Sequence, residues 1–426
     1  MKKVLIITYY WPPAGGPGVQ RWLKFVKYLG EFGIEPIVYV PENPDYPIID
    51  ETLLQEIPKD TIILKKSIFE PYFLAKLFSK KETSTISSGI IEESKNQNFI
   101  QKLFLYIRGN FFIPDARKFW IKPSVKFLET YIAEHNIDTI ITSGPPHSLH
   151  LIGLGLKKKL DLKWFADFRD PWTEIGYHKK LKLSASAKAK HISLEKEVLN
   201  SADHIITTSF TTQKEFQSKT SKPVTVVTNG YDSIEEKSSE LDKNFTVAHI
   251  GSLLSGRNPE KLWMALKDLS SENEEFKRDL VLNLVGTVSK DVISSIREHG
   301  LESHLNLPGY VSHSKANNIQ RSTQVLLLLE IDSIETKGII PGKLFEYMAA
   351  KRPIVAIGPK DWDVQNILKE TEAGSYFNYQ DSSRLKDHFS SLYEQYKNQN
   401  LGSNTHDIEK YHRKNLTRDL AKLIKE

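Results

Sequence analysis

The sequence predicts an α/β fold made of two doubly wound parallel sheets, and three observations lead to this prediction. The chain has 426 residues, which is too long for a single hydrophobic core and indicates two domains. Short continuous apolar runs, typical of buried parallel strands, alternate with helical patterns along most of the chain. The alternation begins again after a charged, weakly apolar segment, residues 233–244, which has the composition of a linker.

Composition narrows the classes of protein to consider. Lys and Arg total 58 and Asp and Glu total 53, which argues against a dedicated nucleic-acid binder. The chain has no cysteine, so thiolate metal sites, disulfides and cysteine nucleophiles are excluded. No apolar run approaches the length of about 20 residues that a membrane-spanning helix needs. We expect a cytoplasmic protein.

The first strand is predicted at Val4–Thr8, because this apolar run is too short for a signal peptide and lacks its cleavage site. A loop containing Gly15 and Gly16 follows, and then a helical pattern. Strand, glycine loop and helix form the opening of a doubly wound fold, whose ligands lie at the carboxyl ends of the strands. The loop can be a binding loop or only a tight turn, since its glycine spacing is not a dinucleotide fingerprint.

The second strand is predicted at Ile37–Val40, and a less regular stretch, residues 65–125, follows it. A polar segment, Ser79–Gln101, divides this stretch, and aromatic and basic residues lie on both sides. Such a surface could rest on an anionic membrane, or the segments could be ordinary helices with solvated basic rims. The aromatic and basic residues are Phe69, Tyr72, Phe73, Lys76, Phe78, Lys80, Lys81, Phe104, Tyr106, Arg108, Phe111, Phe112, Arg117, Lys118, Trp120 and Lys122.

Two further strands of the first half end in polar loops. The strand Asp138–Thr142 is followed by His147, and the strand Trp164–Ala166 by Asp167, Arg169 and Asp170. Parallel strands of one domain place such loops at the same sheet edge. We therefore predict a cluster that binds a sugar and moves a proton. Each of these residues could instead be structural, for example as a turn or helix cap.

Strands predicted at Ala202–Thr207 and Val224–Val227 end the first domain, residues 1–232. The second domain, residues 245–405, begins with the strand Thr246–Ile250. Arg257 lies just before the following helix, where a diphosphate can bind. The later strands are predicted at Leu280–Val285, Leu305–Leu307 and Val325–Leu329.

The segment Thr336–Pro359 contains a Gly/Pro loop, a short helix from about Gly342 to Ala350 and a strand, Pro353–Ile357. Lys343 adds a positive charge at the helix start, and Glu346 lies one turn deeper on the same face. An ammonium suits a phosphate, and a carboxylate can accept hydrogen bonds from two ribose hydroxyls. The alternative is a surface helix on which the two side chains merely pair. The Gly/Pro loop before the helix and the apolar strand after it favour the interpretation as a nucleotide site. Leu344, Tyr347 and Met348 are predicted to pack the helix against the sheet.

Two remaining segments complete the chain. Residues 406–426 end with Leu416, Leu420, Leu423 and Ile424 at helical spacing. Asp361-Trp362-Asp363 has the form of a metal-binding DxD motif. We predict no metal site there, because acidic pairs on loops are common, and we predict no cofactor.

The segment around Glu346 resembles the donor-binding motif of retaining, family-four-type glycosyltransferases of the GT-B fold, also described as glycosyl transferases group 1. Asn229-Gly230-Tyr231-Asp232 resembles the turn that closes their first domain, and the C-terminal helix resembles the one that crosses back onto it. The resemblance implies two Rossmann-like domains with an active site in the cleft between them. One departure is Gly338, which occupies the position of the first glutamate of the family's motif.

The resemblance also implies roles for individual residues. Glu346 would hold the ribose, Lys343 and Arg257 the phosphates, and Gly15 and Gly16 would face the donor. Backbone amides of Gly338, Ile339 and Ile340 would replace the missing glutamate, or nothing would replace it. Leu344 would complete the donor contacts. Many family members carry a histidine in the second polar loop, where this chain has Phe168-Arg169-Asp170. The catalytic candidates are His147, Asp167, Arg169 and Asp170.

The function implied is the retaining, metal-independent transfer of a hexosyl or N-acetylhexosaminyl group from a nucleotide-diphosphate sugar, with UDP favoured over GDP. The acceptor would be a saccharide or a lipid-linked molecule, as in the synthesis of cell-surface polysaccharide or glycolipid. Contact with the inner face of a membrane would then accompany a cytoplasmic location. Two alternatives stay open: a non-hydrolysing UDP-sugar 2-epimerase, and a non-catalytic protein that binds sugar nucleotides.

Overall fold

A computed structural model describes residues 1–70, 99–176, 178, 181–232 and 240–426. The chain divides into two compact units. Unit 1 comprises Met1–Asn229 together with Arg413–Glu426, and unit 2 comprises Gly230–His412. Most of the predicted linker, and the predicted polar segment up to residue 98, lie outside the described residues.

Unit 1 contains a parallel sheet with the strand order β3-β2-β1-β4-β5-β6-β7 among its described residues. The order reverses direction between β1 and β4, which is the switch point of a doubly wound sheet. The strands are β1 (Lys2–Ile7), β2 (Ile34–Pro41), β3 (Ile62–Lys66), β4 (Thr139–Gly144), β5 (Lys163–Phe168), β6 (His204–Thr207) and β7 (Val224–Val226).

Helices cover both faces of this sheet. Leu5 and Ile7 belong to one hydrophobic core, and Val4 and Ile6 to a second, because successive residues of a strand point to opposite faces. The helices described in unit 1 are α1 (Pro17–Leu29), α2 (Phe99–Phe111), α3 (Lys118–Glu134), α4 (Ser148–Lys157), α5 (Ala185–Ser201), α6 (Phe210–Gln217) and, from the C-terminus, α14 (Arg413–Lys425).

Unit 2 repeats the architecture with a parallel sheet of order β10-β9-β8-β11-β12-β13 in its described part. Its switch point lies between β8 and β11. The strands are β8 (Phe245–Ile250), β9 (Leu280–Val285), β10 (Leu305–Gly309), β11 (Val325–Leu329), β12 (Ile354–Ile357) and β13 (Gly374–Phe377).

The helices of unit 2 also flank its sheet, and α11 is the one that the sequence motif predicts. Its side chains Leu344, Phe345, Tyr347 and Met348 are buried. The helices are α7 (Glu260–Glu272), α8 (Glu274–Asp279), α9 (Lys290–Glu298), α10 (His313–Ser322), α11 (Lys343–Ala349), α12 (Asp363–Thr371) and α13 (Ser382–Lys397).

The two predicted parallel sheets are thus confirmed. The predictions missed β3 and β13, which are both edge strands. Within the ranges that the structure describes, no helix combines the length and the apolar character needed to cross a membrane.

Candidate active site

The candidate site in unit 2 lies at the carboxyl edge of the sheet, on both sides of the switch point. Strand β8 ends at Ile250 and is followed by Gly251, whose φ of 125° favours glycine. Strand β11 ends at Leu329 and is followed by Glu330. Because parallel strands end at one edge, these two loops and the start of α11 come together.

Lys343 is half-buried at this edge, and its ammonium contacts other protein groups. Its Nζ donates to the carbonyl oxygen of Ile250 at 3.1 Å and lies 3.2 Å from Nε2 of His249. A Cβ on Gly251 would lie 3.0 Å from Nζ, so the glycine leaves room for the ammonium. Burial, assisted by Arg257, lowers the pKa of Lys343 to about 8.

Glu346 is held by two side chains of α10. Its Oε2 accepts a hydrogen bond from Nε2 of Gln320 at 3.2 Å, and its Oε1 lies 3.3 Å from Nε2 of His313. The carboxylate side chain is 28% exposed, so it is positioned and still accessible. A carboxylate that is positioned and accessible in this way can accept hydrogen bonds from two neighbouring hydroxyls.

Arg257 is oriented by Glu330, which sequence reasoning missed. Nε and Nη2 of Arg257 donate to Oε1 of Glu330 at 3.1 and 3.0 Å, and the N–H of Ile331 donates to the same oxygen at 2.9 Å. The Glu330 side chain is 2% exposed and that of Arg257 28%. The signal in the sequence was an acidic residue directly after a run of five apolar residues.

The loop before α11, residues 337–342, is tied to the start of α12. Trp362 Nε1 donates to the carbonyl of Ile339 at 2.6 Å, and the N–H of Asp363 donates to the carbonyl of Lys337 at 2.9 Å. Asp363 is itself buried. The DxD-like segment therefore holds the loop that carries Gly338.

Leu344 is a weaker candidate than the resemblance implies. Its side chain is fully buried, and its N–H donates to the carbonyl of Pro341 at 3.0 Å. Gly338 is half-buried and Ile339 is exposed in the same region. The geometry thus favours a packing role for Leu344 and leaves Gly338 and Ile339 as donor-site predictions.

In unit 1, Gly15 and Gly16 lie in a loop pinned to residues 48–50. The Gly15 N–H donates to the carbonyl of Ile48 at 2.9 Å, and a Cβ on Gly15 would lie 2.8 Å from Cγ2 of Ile48. Gly16 has a φ of 84° and precedes α1. The loop therefore needs glycine for its own packing, whether or not it contacts a ligand.

Asp167 is fully buried, and its environment favours a structural role over the predicted catalytic one. Its carboxylate accepts hydrogen bonds from Arg21 Nη2 at 2.7 Å, Trp22 Nε1 at 2.8 Å and Ser143 Oγ at 2.7 Å. Burial alone would raise the pKa of Asp167, but the Arg21 charge and these hydrogen bonds hold it below its usual value. Its oxygens are thus engaged within the core of unit 1.

Arg169 connects loops at the carboxyl edge of unit 1. Its Nη1 donates to the carbonyl of Gly18 at 2.9 Å, and its Nη2 donates to the carbonyl of Pro145. Asp170 is half-buried, and within the described ranges its carboxylate makes no hydrogen bond or ion pair. Burial raises the pKa of Asp170, although Arg169 opposes this. Asp170 is thus the predicted catalytic carboxylate that its surroundings leave open to a ligand.

His147 is buried beside the same edge. Its ring stacks on Trp172 with the ring centroids 4.7 Å apart and an interplanar angle of 2°. Neither ring nitrogen has a hydrogen-bond partner among the residues that the structure describes. Burial and the neighbouring His150, His178 and His191 hold the pKa of His147 well below its usual range.

Sequence reasoning found Lys343, Glu346 and Arg257, and the structure gathers all three in unit 2. Sequence reasoning missed the side chains that hold these three residues, namely His249, Gln320, His313 and Glu330. Gly15, Gly16, His147, Asp167, Arg169 and Asp170 belong to unit 1.

Comparison with known proteins finds a family match in the second half of the chain. Residues 231–413 match the family described as "Glycosyl transferases group 1". No curated protein shows significant sequence similarity to the chain. The family match confirms the resemblance found in the motif around Glu346.

Solved structures with the same fold cover the whole chain. The Anabaena protein Alr3699/HepE, in complex with UDP and glucose, has a TM-score of 0.61 and 13% identity and covers all of both chains. A glycosyltransferase from Rickettsia africae ESF-5 has a TM-score of 0.59 and 14% identity, and the match covers 100% of this chain and 99% of that chain. These similarities confirm the GT-B fold.

A third structure with the same fold has a different functional description. A Listeria monocytogenes protein, provisionally described as a UDP-N-acetylglucosamine 2-epimerase, has a TM-score of 0.55 and 12% identity. The match covers 100% of this chain and 96% of that chain. At such identities the similarity concerns the fold alone. The family match and the fold together support a glycosyltransferase.

Proposed function

We propose that the protein is a retaining glycosyltransferase that transfers a hexosyl or N-acetylhexosaminyl group from a nucleotide-diphosphate sugar, with UDP favoured over GDP. The acceptor is a saccharide or a lipid-linked molecule in cell-surface polysaccharide or glycolipid synthesis. One observation carries the proposal: Lys343, Arg257 and Glu346 are each held by buried partners at the carboxyl edge of unit 2. Two oriented cations and one oriented carboxylate match the two ends of a nucleoside diphosphate.

The two cations act on the leaving group. As the glycosidic bond to the donor breaks, negative charge develops on the diphosphate, and the positive charges of Lys343 and Arg257 stabilise it. Because Glu330 fixes the guanidinium through two N–H groups, Arg257 loses little freedom when it binds a phosphate. In this proposal the protein's own cations supply the stabilisation without a metal ion.

Retention of configuration follows, in this proposal, from attack on the same face as the departing diphosphate. The leaving phosphate then accepts the proton of the acceptor hydroxyl. Asp170 is the candidate for an alternative route, because its carboxylate makes no hydrogen bond within the described ranges. Trapping of a glycosyl adduct on Asp170 would replace the same-face mechanism by a double displacement.

A thermal-shift panel of UDP-sugars and GDP-sugars tests the donor assignment. We expect nucleotide sugars with one of the two bases to raise the melting temperature, since a ligand that binds only the native state stabilises it by mass action. Glu346→Ala should abolish that shift while the unliganded melting temperature changes little. The control is Glu298→Ala, an exposed glutamate at the end of α9. No shift with any member of the panel would contradict the proposal.

Incubation with the selected donor alone separates the proposal from its two alternatives. An epimerase converts the donor into its C2 epimer without any acceptor. A transferase leaves the sugar configuration unchanged and consumes the donor faster when an acceptor is added. A non-catalytic binding protein does neither, although it still gives the thermal shift.

An exposed aromatic surface of unit 1 supports the proposal of a lipid-linked acceptor. Phe69, Phe111 and Phe119 are exposed, with Phe111 at 62%. Lys118 Nζ lies 5.4 and 5.2 Å from the ring centroids of Phe112 and Phe119. Tyr72, Phe73, Lys76, Phe78, Lys80 and Lys81, which the sequence placed on this surface, lie outside the described residues.

Sedimentation with phospholipid vesicles tests this membrane contact. We expect binding to vesicles containing anionic phosphatidylglycerol and weaker binding to neutral phosphatidylcholine vesicles, because Lys118 adds positive charge to an apolar surface. Phe111→Ser with Phe119→Ser should reduce binding, while Ile192→Ser, an exposed apolar residue of α5, should not. Equal sedimentation of the original protein and both variants would show that this surface does not bind the membrane.

A further inference from the structure

His249 lies directly beside the lysine of the proposed donor site. It is a fully buried residue of β8, and its Nδ1 lies 3.0 Å from the carbonyl oxygen of Leu327 on the neighbouring strand β11. A carbonyl oxygen can only accept a hydrogen bond, so Nδ1 must carry a proton. In the neutral imidazole the other nitrogen, Nε2, then has a free lone pair.

That lone pair faces the ammonium of Lys343. The distance from Nζ to Nε2 is 3.2 Å, and an ammonium can only donate, so Nε2 accepts. A second N–H of Lys343 goes to the carbonyl of Ile250. Within the described ranges the third N–H has no protein acceptor. Two neutral acceptors therefore fix the ammonium and leave one donor for a ligand.

We propose that His249 is a positioning residue, which holds the ammonium of Lys343 so that its third N–H is directed at the donor diphosphate. This inference rests on the proposed function, because the diphosphate is the ligand assigned to that N–H. It adds a role to strand β8, which the sequence predicts only as a buried strand before the donor loop. His249 itself does not touch the donor.

The charges around the pair explain why a neutral acceptor is used. Lys343 is faced by Arg257 from the loop after β8, by Glu330 after β11 and by Glu346 on its own helix. A carboxylate in place of His249 would neutralise the ammonium and weaken its attraction for a phosphate. A protonated imidazole would repel it. Burial, together with the charge of Lys343, keeps the pKa of His249 well below its usual range.

Two variants separate the hydrogen bond from simple packing. His249→Phe keeps a planar ring of similar size and removes the acceptor. His249→Gln places a carbonyl oxygen close to the position of Nε2 and retains an acceptor. If His249 only filled the core, Phe would be the milder change. If it positions Lys343, Gln is the milder change, because an acceptor for the ammonium remains.

The experiment measures the titration of Lys343 by NMR without ligand, and the affinity for UDP and GDP by calorimetry at pH 7. Losing an acceptor disfavours the charged form, so in His249→Phe the pKa of Lys343 should fall by about one unit. Affinity for the preferred nucleotide should fall about tenfold in this variant. His249→Gln should stay within about threefold of the original protein. In the original protein, the ¹⁵N shift of Nε2 should be that of an unprotonated nitrogen.

Three results would overturn the inference: a Lys343 titration unchanged in His249→Phe, a protonated Nε2, or equal affinities of the Phe and Gln variants. If the original protein binds neither nucleotide, the proposed function fails, and the role of His249 toward a diphosphate fails with it. An altered Lys343 titration would then still show that His249 holds the ammonium. If His249→Phe does not fold, the Nε2 signal and the Gln variant decide the question.

Discussion

The lowered pKa of the Lys343 ammonium should make donor binding sensitive to pH. Its pKa is lowered to about 8, mainly by burial. A phosphate attracts only the protonated form, so affinity for the nucleotide should fall by up to about tenfold per pH unit above pH 8. Calorimetry between pH 7 and 9.5 measures this, and Lys343→Met should remove the decline. A flat profile in the original protein would place the phosphate away from Lys343.

Asp167 and Arg21 form a buried ion pair whose loss should destabilise unit 1. Asp167→Asn leaves the Arg21 guanidinium buried without its counter-charge, which costs about 3 kcal/mol or more. Urea unfolding measures the change in the free energy of unfolding. Glu129→Gln, which breaks an exposed pair with Lys159, is the control and should cost less than about 1 kcal/mol. Full stability of Asp167→Asn with lost activity would restore the catalytic prediction.

Four buried histidines should make unit 1 sensitive to acid. Burial lowers the pKa of His150 to about 3 and that of His178 to about 4, and it also lowers the values of His147 and His191. Below about pH 6.5 the unfolded chain therefore binds more protons than the folded chain. The free energy of unfolding then decreases as the pH decreases. The loss begins near pH 6.5 and continues toward pH 4.

His147→Phe tests this sensitivity, because it keeps the ring stacked on Trp172 and removes one titrating group. The fall in melting temperature between pH 7.5 and 5 should be smaller in this variant than in the original protein. His406→Gln, a half-exposed histidine, serves as the control and should leave the fall unchanged. An equal fall in all three proteins would locate the acid sensitivity elsewhere.

The chemical type of the donor-site residues could be predicted from sequence, but their supports could not. Lys343 and Glu346 stand in one recognisable segment. Their partners come from distant segments: 94 positions separate Lys343 from His249, and 73 separate Glu330 from Arg257. Such contacts follow from the strand order of the sheet, which a local pattern does not contain.

Among the elements, the C-terminal helix α14 contributes to the core of unit 1. Leu420, Ala421 and Ile424 are buried in the same cluster as residues of β1 and α1. Leu420→Ala should lower the free energy of unfolding of unit 1 by about 2 to 5 kcal/mol, because it leaves a cavity. Urea unfolding measures this, with the exposed Lys422→Ala as control. Equal stability of the two variants would show that α14 adds little to the core.

The two missed strands show which elements a sequence pattern fails to mark. Both β3 and β13 are edge strands. Strand β3 is only partly buried along its length, and β13 buries only Phe377 fully. A central parallel strand is covered on both faces and gives a continuous apolar run, whereas an edge strand does not have to. The central strands were therefore all predicted from sequence, whereas of the four edge strands only β7 and β10 were predicted.

At the scale of the whole molecule, each unit has its own sheet and core. The side chains assigned to the nucleotide, and the partners that hold them, all belong to unit 2. The segment 230–412 expressed alone should therefore fold and bind the selected nucleoside diphosphate within about tenfold of the full chain. Calorimetry measures this affinity. A folded segment without affinity would show that residues outside unit 2 are required.

The two-sheet architecture was predictable because alternation of strands and helices runs through both halves of the chain. The structure adds the strand orders, which place Arg257, Lys343 and Glu346 at one edge. Sequence patterns alone did not distinguish the catalytic candidates of unit 1 from one another. In the structure Asp167 is buried and hydrogen-bonded, whereas Asp170 is half-buried and has no hydrogen bond within the described ranges. This difference depends on tertiary packing and could not be predicted from the sequence.

The most direct test of the account compares three ligands of the preferred base: the nucleoside diphosphate, its 2′,3′-dideoxy analogue and the free nucleoside. The intact protein should bind the diphosphate at least about tenfold more tightly than either of the others. In Glu346→Ala the preference over the dideoxy analogue should disappear while the preference over the nucleoside remains. In Lys343→Met the preference over the dideoxy analogue should remain, and the preference over the nucleoside should decrease, because only Arg257 is left to bind the phosphates. If both preferences are undiminished in both variants, Lys343 and Glu346 do not hold the two ends of one nucleotide.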